Sequence, residues 1–365
     1  MIYHIMNDIF DQPLSQITKL FYQNMNSVWS ILLMAIGSIC AASFYVPIKK
    51  IKGWSWESYW IVQGVFSWIL VPALFAWLTV PSGTLDDIIS LAPASSRWWA
   101  AFYGALWGVG GLTFGLSMRY LGVALGQSIA LGLCAGIGTL VPPLLKGQNL
   151  FADRSGVLIL IGVAVSLAGI AIIGYAASLK SRNMTEDERR SAIKEFALKK
   201  GILIAILAGV MSACFSFGLN AGKPIQDAAL SFGTNPLFAK NPVILFVTLG
   251  GFVTNLIYCV FLNIKNGTGR DYLSVSSAVL INNLIFSAIG GTLWYMQFFF
   301  MGMGESQLPA TMIAFAWSIL MSMNIAFSNI WGIILKEWKG AGRRTILVLV
   351  IGIVILVLST FVIKL

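Results

Sequence analysis

Long apolar runs follow one another along almost the whole chain, separated by short polar connections and, once, by a longer one. About 20 apolar residues suffice to cross the roughly 30 Å hydrocarbon core of a bilayer as a helix. Ten such runs can be drawn, at 29–47, 58–80, 98–118, 121–144, 156–178, 201–222, 242–264, 274–300, 308–335 and 345–363. They are continuously apolar, without the period-two alternation of barrel strands, and a chain in lipid must satisfy its backbone polar groups internally. The expected fold class is an all-α integral membrane protein with ten transmembrane helices.

The strongly hydrophilic segment "LKSRNMTEDERRSAIKEFALKK" at 179–200 divides these runs into five and five. An odd number of spans per half would set a duplicated unit into the membrane in opposite orientations, the inverted-repeat arrangement of secondary transporters. Two local matches support duplication. "GSICAASFY" at 37–45 parallels "GVMSACFSF" at 209–217, and Trp107 precedes Gly115 by the same interval as Trp294 precedes Gly302. The expected organisation is an N-terminal extension at 1–28, a first five-helix repeat at 29–178, a cytoplasmic linker at 179–200 and a second five-helix repeat at 201–365.

Composition sharpens this picture. The 365 residues are 58% hydrophobic and 10% charged, with a mean hydropathy of +0.82, which excludes a water-soluble protein of this length. The net charge of +10 could suggest nucleic acid, yet the lysines and arginines sit in the connections: odd-numbered connections hold 17 and even-numbered ones 5. The positive-inside rule then puts the odd connections in the cytoplasm and both termini outside. No nucleic-acid partner is expected; the lipid bilayer is. The first 24 residues lack the basic and apolar regions of a signal peptide and read as an extension ahead of the first span.

Several function classes fall away. The sole histidine is His4, and Cys40, Cys134, Cys214 and Cys259 lie inside spans without metal-site spacing, so they read as small core residues. "WGVGGLTFG" lies inside a span and "GLNAGK" is one residue short of a phosphate loop, with no strand before either. No enzyme, cofactor or metal site is expected.

Polar side chains deep in a membrane are costly unless they face a cavity or pair with one another, so they are candidates for function. Ser212, Ser216 and Asn220 recur at i, i+4 and i+8 on one helix face, with Lys223 just beyond. Gln63 and Ser67 share a face in span two, Asn282 and Asn283 enter span eight, and Trp294 and Gln297 are neighbours at i, i+3. Neutral amides and hydroxyls beside aromatic rings suit an uncharged polyol. The alternative is that these groups bond across helices and hold the bundle together. Glu57, Asp227, Glu305 and Glu337 lie at span ends or in loops; Glu305 is the nearest candidate to carry a coupling proton.

Five stretches carry a resemblance: "SFYVPIKKIKGWSWE", "WGVGGLTFGLSMRYLG", "KKGILIAILAGVMSACFSFGLNAGKP", "GGTLWYMQFFFMGMG" and "LKEWKGAGRR". In this order, from about residue 29 to the C-terminus, the chain resembles the bacterial L-rhamnose-proton symporter family, a branch of the drug/metabolite transporter superfamily. The resemblance implies a ten-span carrier in the bacterial cytoplasmic membrane that takes up L-rhamnose with a proton. The chain departs from that family's pattern at Asn282 and in "ATMIAFAWS", where neutral residues replace titratable ones.

The leading expectation is a secondary transporter of L-rhamnose or a related deoxy-sugar, coupled to a proton or sodium ion. Spans one, two, six, seven and eight would line its cavity. The sugar contacts are expected from Tyr45, Gln63, Ser212, Ser216, Asn220, Asn283, Trp294 and Gln297, and proton coupling from Glu305. An exporter or exchanger of another small metabolite, or a membrane sugar sensor, would share the same scaffold.

Overall fold

The computed structural model describes residues 26–121, 123–182 and 198–362. The extension up to residue 25 and most of the expected linker, 183–197, lie outside the described residues.

Long helices occupy 26–43 (α1), Trp56–Thr79 (α2), Ala94–Leu121 (α3), Val123–Leu145 (α4), Arg154–Arg182 (α5) and Leu198–Ala221 (α6). They continue through Asn241–Asn266 (α7), Ser277–Glu305 (α8), Ala316–Ile334 (α9) and Arg343–Ser359 (α10). Among the described residues there is no strand, and eight helices are long and apolar enough to cross a membrane. α3 and α10 are not among the eight. The first is diluted by Trp98, Trp99, Trp107 and five glycines, and the second is 17 residues long.

Helix ends follow local chemistry. Ser55 caps α2 by accepting the Ser58 backbone N–H on its side chain. Pro242 fits the first turn of α7, where its missing N–H has no partner to lose, and Gly267 ends that helix in the left-handed region at φ 68°. The middle of α2 passes through a π-helical turn at Phe66–Leu70.

α3 lies at the centre of the packing, against α6 and α7, while α4 packs on α6, α5 on α10, and α8 on α2. α3 approaches α7 so closely that a methyl built on Gly104 would overlap the Val247 carbonyl oxygen, and one on Gly250 the Ala101 carbonyl. Small residues permit such contact, which supplies dispersion energy where lipid removes the hydrophobic drive.

An aromatic core fills the middle. Trp68 meets Trp107 and Trp294 edge-on at 6.0 and 5.7 Å, Trp107 lies 5.5 Å from Trp294, and Phe215 stacks on Phe298 at 4.0 Å.

The basic segment before α2 is tied down by buried polar groups. The Asn283 side chain accepts from the Lys52 N–H at 3.0 Å and donates to the Lys52 carbonyl at 2.7 Å. Asp271 accepts from the Ser55 N–H at 2.7 Å and the Ser58 hydroxyl at 2.8 Å, and Glu57 accepts from Asn266 and Thr268. These bonds fasten the α1–α2 connection to the α7–α8 connection.

Candidate functional site

Among the described residues, two cavities lie at opposite ends of α4 and α9. The first, of about 510 Å³, is bounded by the C-terminal part of α4 from Gly138, the connection to α5 beginning at Lys146, the C-terminal ends of α6 and α8, and Ala310 to Trp317. The second, of about 830 Å³, lies among the ends of α1, α3 and α5, the start of α4 and the segment from Ile325 to Trp338.

Along α4 the second cavity ends at Leu131 and the first begins at Gly138, a rise of about 10 Å. Buried Cys134 and Ala135 fill that interval. The indole N–H of Trp317 donates to the Cys134 carbonyl at 3.1 Å, so the partition is pinned by a bond between α4 and α9. Elsewhere between α8 and α9, Asn324 donates to Gln297 at 3.0 Å, and Gln297 donates to the Trp294 carbonyl at 2.9 Å.

The two linings share one spacing. α6 and the start of the short helix after it contribute 216, 219, 220 and 223 to the first cavity; α1 and the turns after it contribute 42, 45, 46 and 49 to the second. α8 gives 301 and 305 where α3 gives 114 and 118. α4 and the residue after it give 139, 142, 143 and 146 to the first cavity, and α9 gives 325, 328, 329 and 332 to the second. Residues 314 and 317 likewise match 128 and 131.

The eight expected sugar contacts and the expected proton carrier divide among several places. Ser216, Asn220 and Glu305 line the first cavity. Ser216 donates to the Gly138 carbonyl at 2.7 Å, Asn220 accepts from Lys146 at 2.8 Å, and Glu305 is ion-paired with Lys240. Tyr45 lines the second cavity. Trp294 and Gln297 are buried in the core and line neither cavity.

The other three stand apart from both cavities. Gln63 is buried and accepts the Tyr59 hydroxyl proton within α2. Asn283 is spent on Lys52, and Ser212 lies against Gly110 of α3. The cavities also draw on α3, α4, α5 and α9, which the expected set of lining spans omitted, and neither is lined by α2 or α7.

Sequence reasoning missed Lys146, Lys240 and Trp317. The lysines count as topology signals in the sequence, and only the fold brings Lys240 to Glu305, 65 residues away. Trp317 looks like any core aromatic until its place on the cavity wall is known. Among the described residues no group of three or more His, Cys, Asp or Glu could hold a metal.

This arrangement can hold a small neutral, hydroxyl-rich molecule. Amide and ammonium groups on one wall can meet hydroxyls, and an indole on another can carry an apolar face. A profile described as "L-rhamnose-proton symport protein (RhaT)" matches residues 23–365. The chain belongs to this family. An L-rhamnose-proton symporter of Klebsiella pneumoniae is 38% identical over 330 residues, covering 89% of this chain and 93% of the relative. One from Escherichia coli is 37% identical over the same shares, and one from Cronobacter sakazakii is 38% identical over 333 residues, 90% and 94% of the two chains. With its apolar helices, membership in this symporter family makes the protein a multi-pass membrane transporter and not an enzyme.

Proposed function

We propose that the protein imports L-rhamnose together with a proton, by alternating access between two inverted five-helix repeats in a bacterial cytoplasmic membrane. The observation that carries this reading is the first cavity. In a chain of the L-rhamnose-proton symporter family, it gathers an amide, a hydroxyl, an indole and a carboxylate–lysine pair around a space large enough for a monosaccharide.

The repeats are supported by the matched linings. They set α1 against α6, α3 against α8 and α4 against α9 with constant offsets, and the α3–α8 offset also pairs Trp107 with Trp294, whose rings touch. Packing follows the same rule, since α3 with α6 and α7 mirrors α8 with α2 and with α1, which it meets closely at Gly37 and Gly304. On this reading α3 and α10 complete ten spans, α3 tolerating its low hydropathy because α4, α6 and α7 cover it. It is the arrangement that kinship with the drug/metabolite transporter superfamily implies.

The excess of Lys and Arg in the odd connections puts both termini outside and the first cavity on the outer side. The repeats would run from 29 to 178 and from 201 to 365, joined by a cytoplasmic linker. Sugar entering the first cavity would meet Ser216, Asn220, Lys146 and Trp317, and Glu305 would take the proton. Trp294 and Gln297, buried in the core, would follow the sugar as it passes, and Tyr45 would meet it in the second cavity.

The test is uptake of labelled L-rhamnose into proteoliposomes under an inward proton gradient, an inward sodium gradient and none. Accumulation driven by the proton gradient alone is expected. No accumulation under any gradient, or accumulation driven by sodium, overturns the reading.

A further inference from the structure

The ion pair between Lys240 and Glu305 lies in the wall of the first cavity, with both side chains about nine-tenths buried. Glu305 closes the C-terminal end of α8, and Lys240 immediately precedes α7, so the pair joins two helices on which the repeats would have to move. Its position is one-sided. The residue matching Glu305 in the other lining is Met118, which carries no charge.

The other charged groups facing this cavity are already engaged. Lys146 donates to Asn220, Asp153 accepts the Gly156 N–H at 2.6 Å, and Lys223 pairs with Asp227. α1, which packs on the end of α8 through Ser30, and α9 carry no charged side chain over their described lengths.

We propose that the proton and the sugar are coupled because Lys240 is shared between Glu305 and the substrate. This rests on reading the first cavity as the sugar and proton site. With Glu305 ionised, the Lys240 ammonium is held by the carboxylate. When a proton from the outer solution is taken up on a Glu305 carboxylate oxygen, the pair loses its charge attraction and Lys240 stays an ammonium. Its donors then turn to a sugar hydroxyl. No covalent bond to carbon forms or breaks, and the site gains one positive charge. Linkage is reciprocal, so bound sugar must favour the protonated carboxyl by the same factor that the proton favours sugar. Lys240 is thus a residue that discriminates loaded from unloaded carrier.

The experiment is equilibrium binding of labelled L-rhamnose to the purified full-length protein across a pH series, with counterflow exchange measured in proteoliposomes. In the unmodified protein, affinity should fall as pH rises, by at most about tenfold per pH unit for a single coupled proton. Glu305→Gln should bind without pH dependence and keep exchange while losing proton-driven accumulation. Lys240→Met should bind about tenfold more weakly in the acid range and lose the pH slope, as loss of one charged donor near 1.4 kcal/mol implies. Lys240→Arg should restore the slope. An unchanged slope in Lys240→Met or in Glu305→Gln overturns the shared-lysine coupling while leaving rhamnose transport standing. Absence of rhamnose binding by the unmodified protein at every pH overturns the transport reading and this one together.

Discussion

The two cavities are built from matching positions of the two halves of the chain, yet they differ where charge and aromatic surface are concerned. Glu305, Lys146, Asn220 and Trp317 of the first stand opposite Met118, Gly332, Val46 and Leu131 of the second. The second answers with neutral groups, Tyr45, Ser128, Ser328 and Asn329, at positions where the first has Leu219, Ala314, Pro142 and Pro143. The second lining also carries Lys49, matched to Lys223 of the first, with Lys180, Glu337 and the rings of Tyr45, Phe114, Trp331 and Trp338, so the two ends differ in where charge and aromatic surface sit and not in whether they are present. Coupling to an ion needs a titratable group that one state exposes and the other withdraws, and an acid with no acidic counterpart at the matched position, as Glu305 has none at Met118, meets that need more simply than two equal ones.

The comparison breaks first if the frame is not shared. Gly104 and Gly291 are separated by the same interval as Glu305 and Met118, and each sits where its helix crosses a partner, α3 on α7 and α8 on α2. A methyl on Gly104 would overlap the Val247 carbonyl oxygen, closer than one on Gly291 would come to the Phe66 Cβ at 2.7 Å and the Gln63 carbonyl oxygen at 2.9 Å. Both Ala variants should destabilise the fold, Gly104→Ala more, by at least the roughly 1–3 kcal/mol of an overpacked core. Thermal unfolding in detergent measures this; a neutral Gly104→Ala would mean that α3 and α7 do not cross as closely as described.

Next in size is the indole. Trp317→Leu removes an aromatic face from the first cavity and its bond to the Cys134 carbonyl, and should raise the KM for rhamnose uptake about tenfold, near 1.4 kcal/mol. The matching change in the second lining, Leu131→Met, conserves volume and should alter KM less than about twofold. Equal effects at the two positions would erase the functional difference between the cavities.

Much of the frame was legible in the sequence because apolar length and basic loops are written locally. Eight described helices long and apolar enough to cross a membrane lie on runs that hydropathy marks, and Ser216 and Asn220 share a face because four residues make about one turn. Ser212 obeys the same periodicity but abuts Gly110, since a helix face one turn deeper meets a neighbour instead of open space. Gln63 and Asn283 are polar in mid-chain for reasons of architecture: one receives Tyr59, the other holds a loop. Lys240 and Trp317 were hidden because their roles depend on residues far away in sequence. Aligning "GSICAASFY" with "GVMSACFSF" matches Ala42 to Cys214, while the cavity linings match Ala42 to Ser216. Local similarity and the cavity linings thus pair the same two helices, but two residues apart in register.

A smaller effect is expected at Asn220. Asn220→Ala removes one amide and frees Lys146, and should raise KM about threefold to tenfold, the range of one hydrogen bond worth roughly 0.7–1.4 kcal/mol. Val46→Ala, its counterpart, should leave KM within about twofold, as an apolar residue trimmed at a lining with no amide to lose. Normal uptake kinetics in Asn220→Ala, at normal protein levels, would remove this residue from the sugar site.

The smallest expected effect separates the two ends of the molecule by how they are fastened. Near the second cavity's end the fastening is Asp271, whose carboxyl burial pushes up but hydrogen bonds from the Ser55 N–H and the Ser55 and Ser58 side chains pull below the ordinary aspartate range. A carboxyl whose folded value is depressed contributes stability that is present above its unfolded value and lost as pH falls through the folded one. Asp271→Asn should therefore lower the unfolding temperature at neutral pH, and the gap from the unmodified protein should close on acidification below the usual aspartate range. The group is partly solvated, so its contribution is expected at under about 1 kcal/mol. A gap that persists at acid pH would mean that Asp271 holds the α1–α2 connection through shape and not through charge.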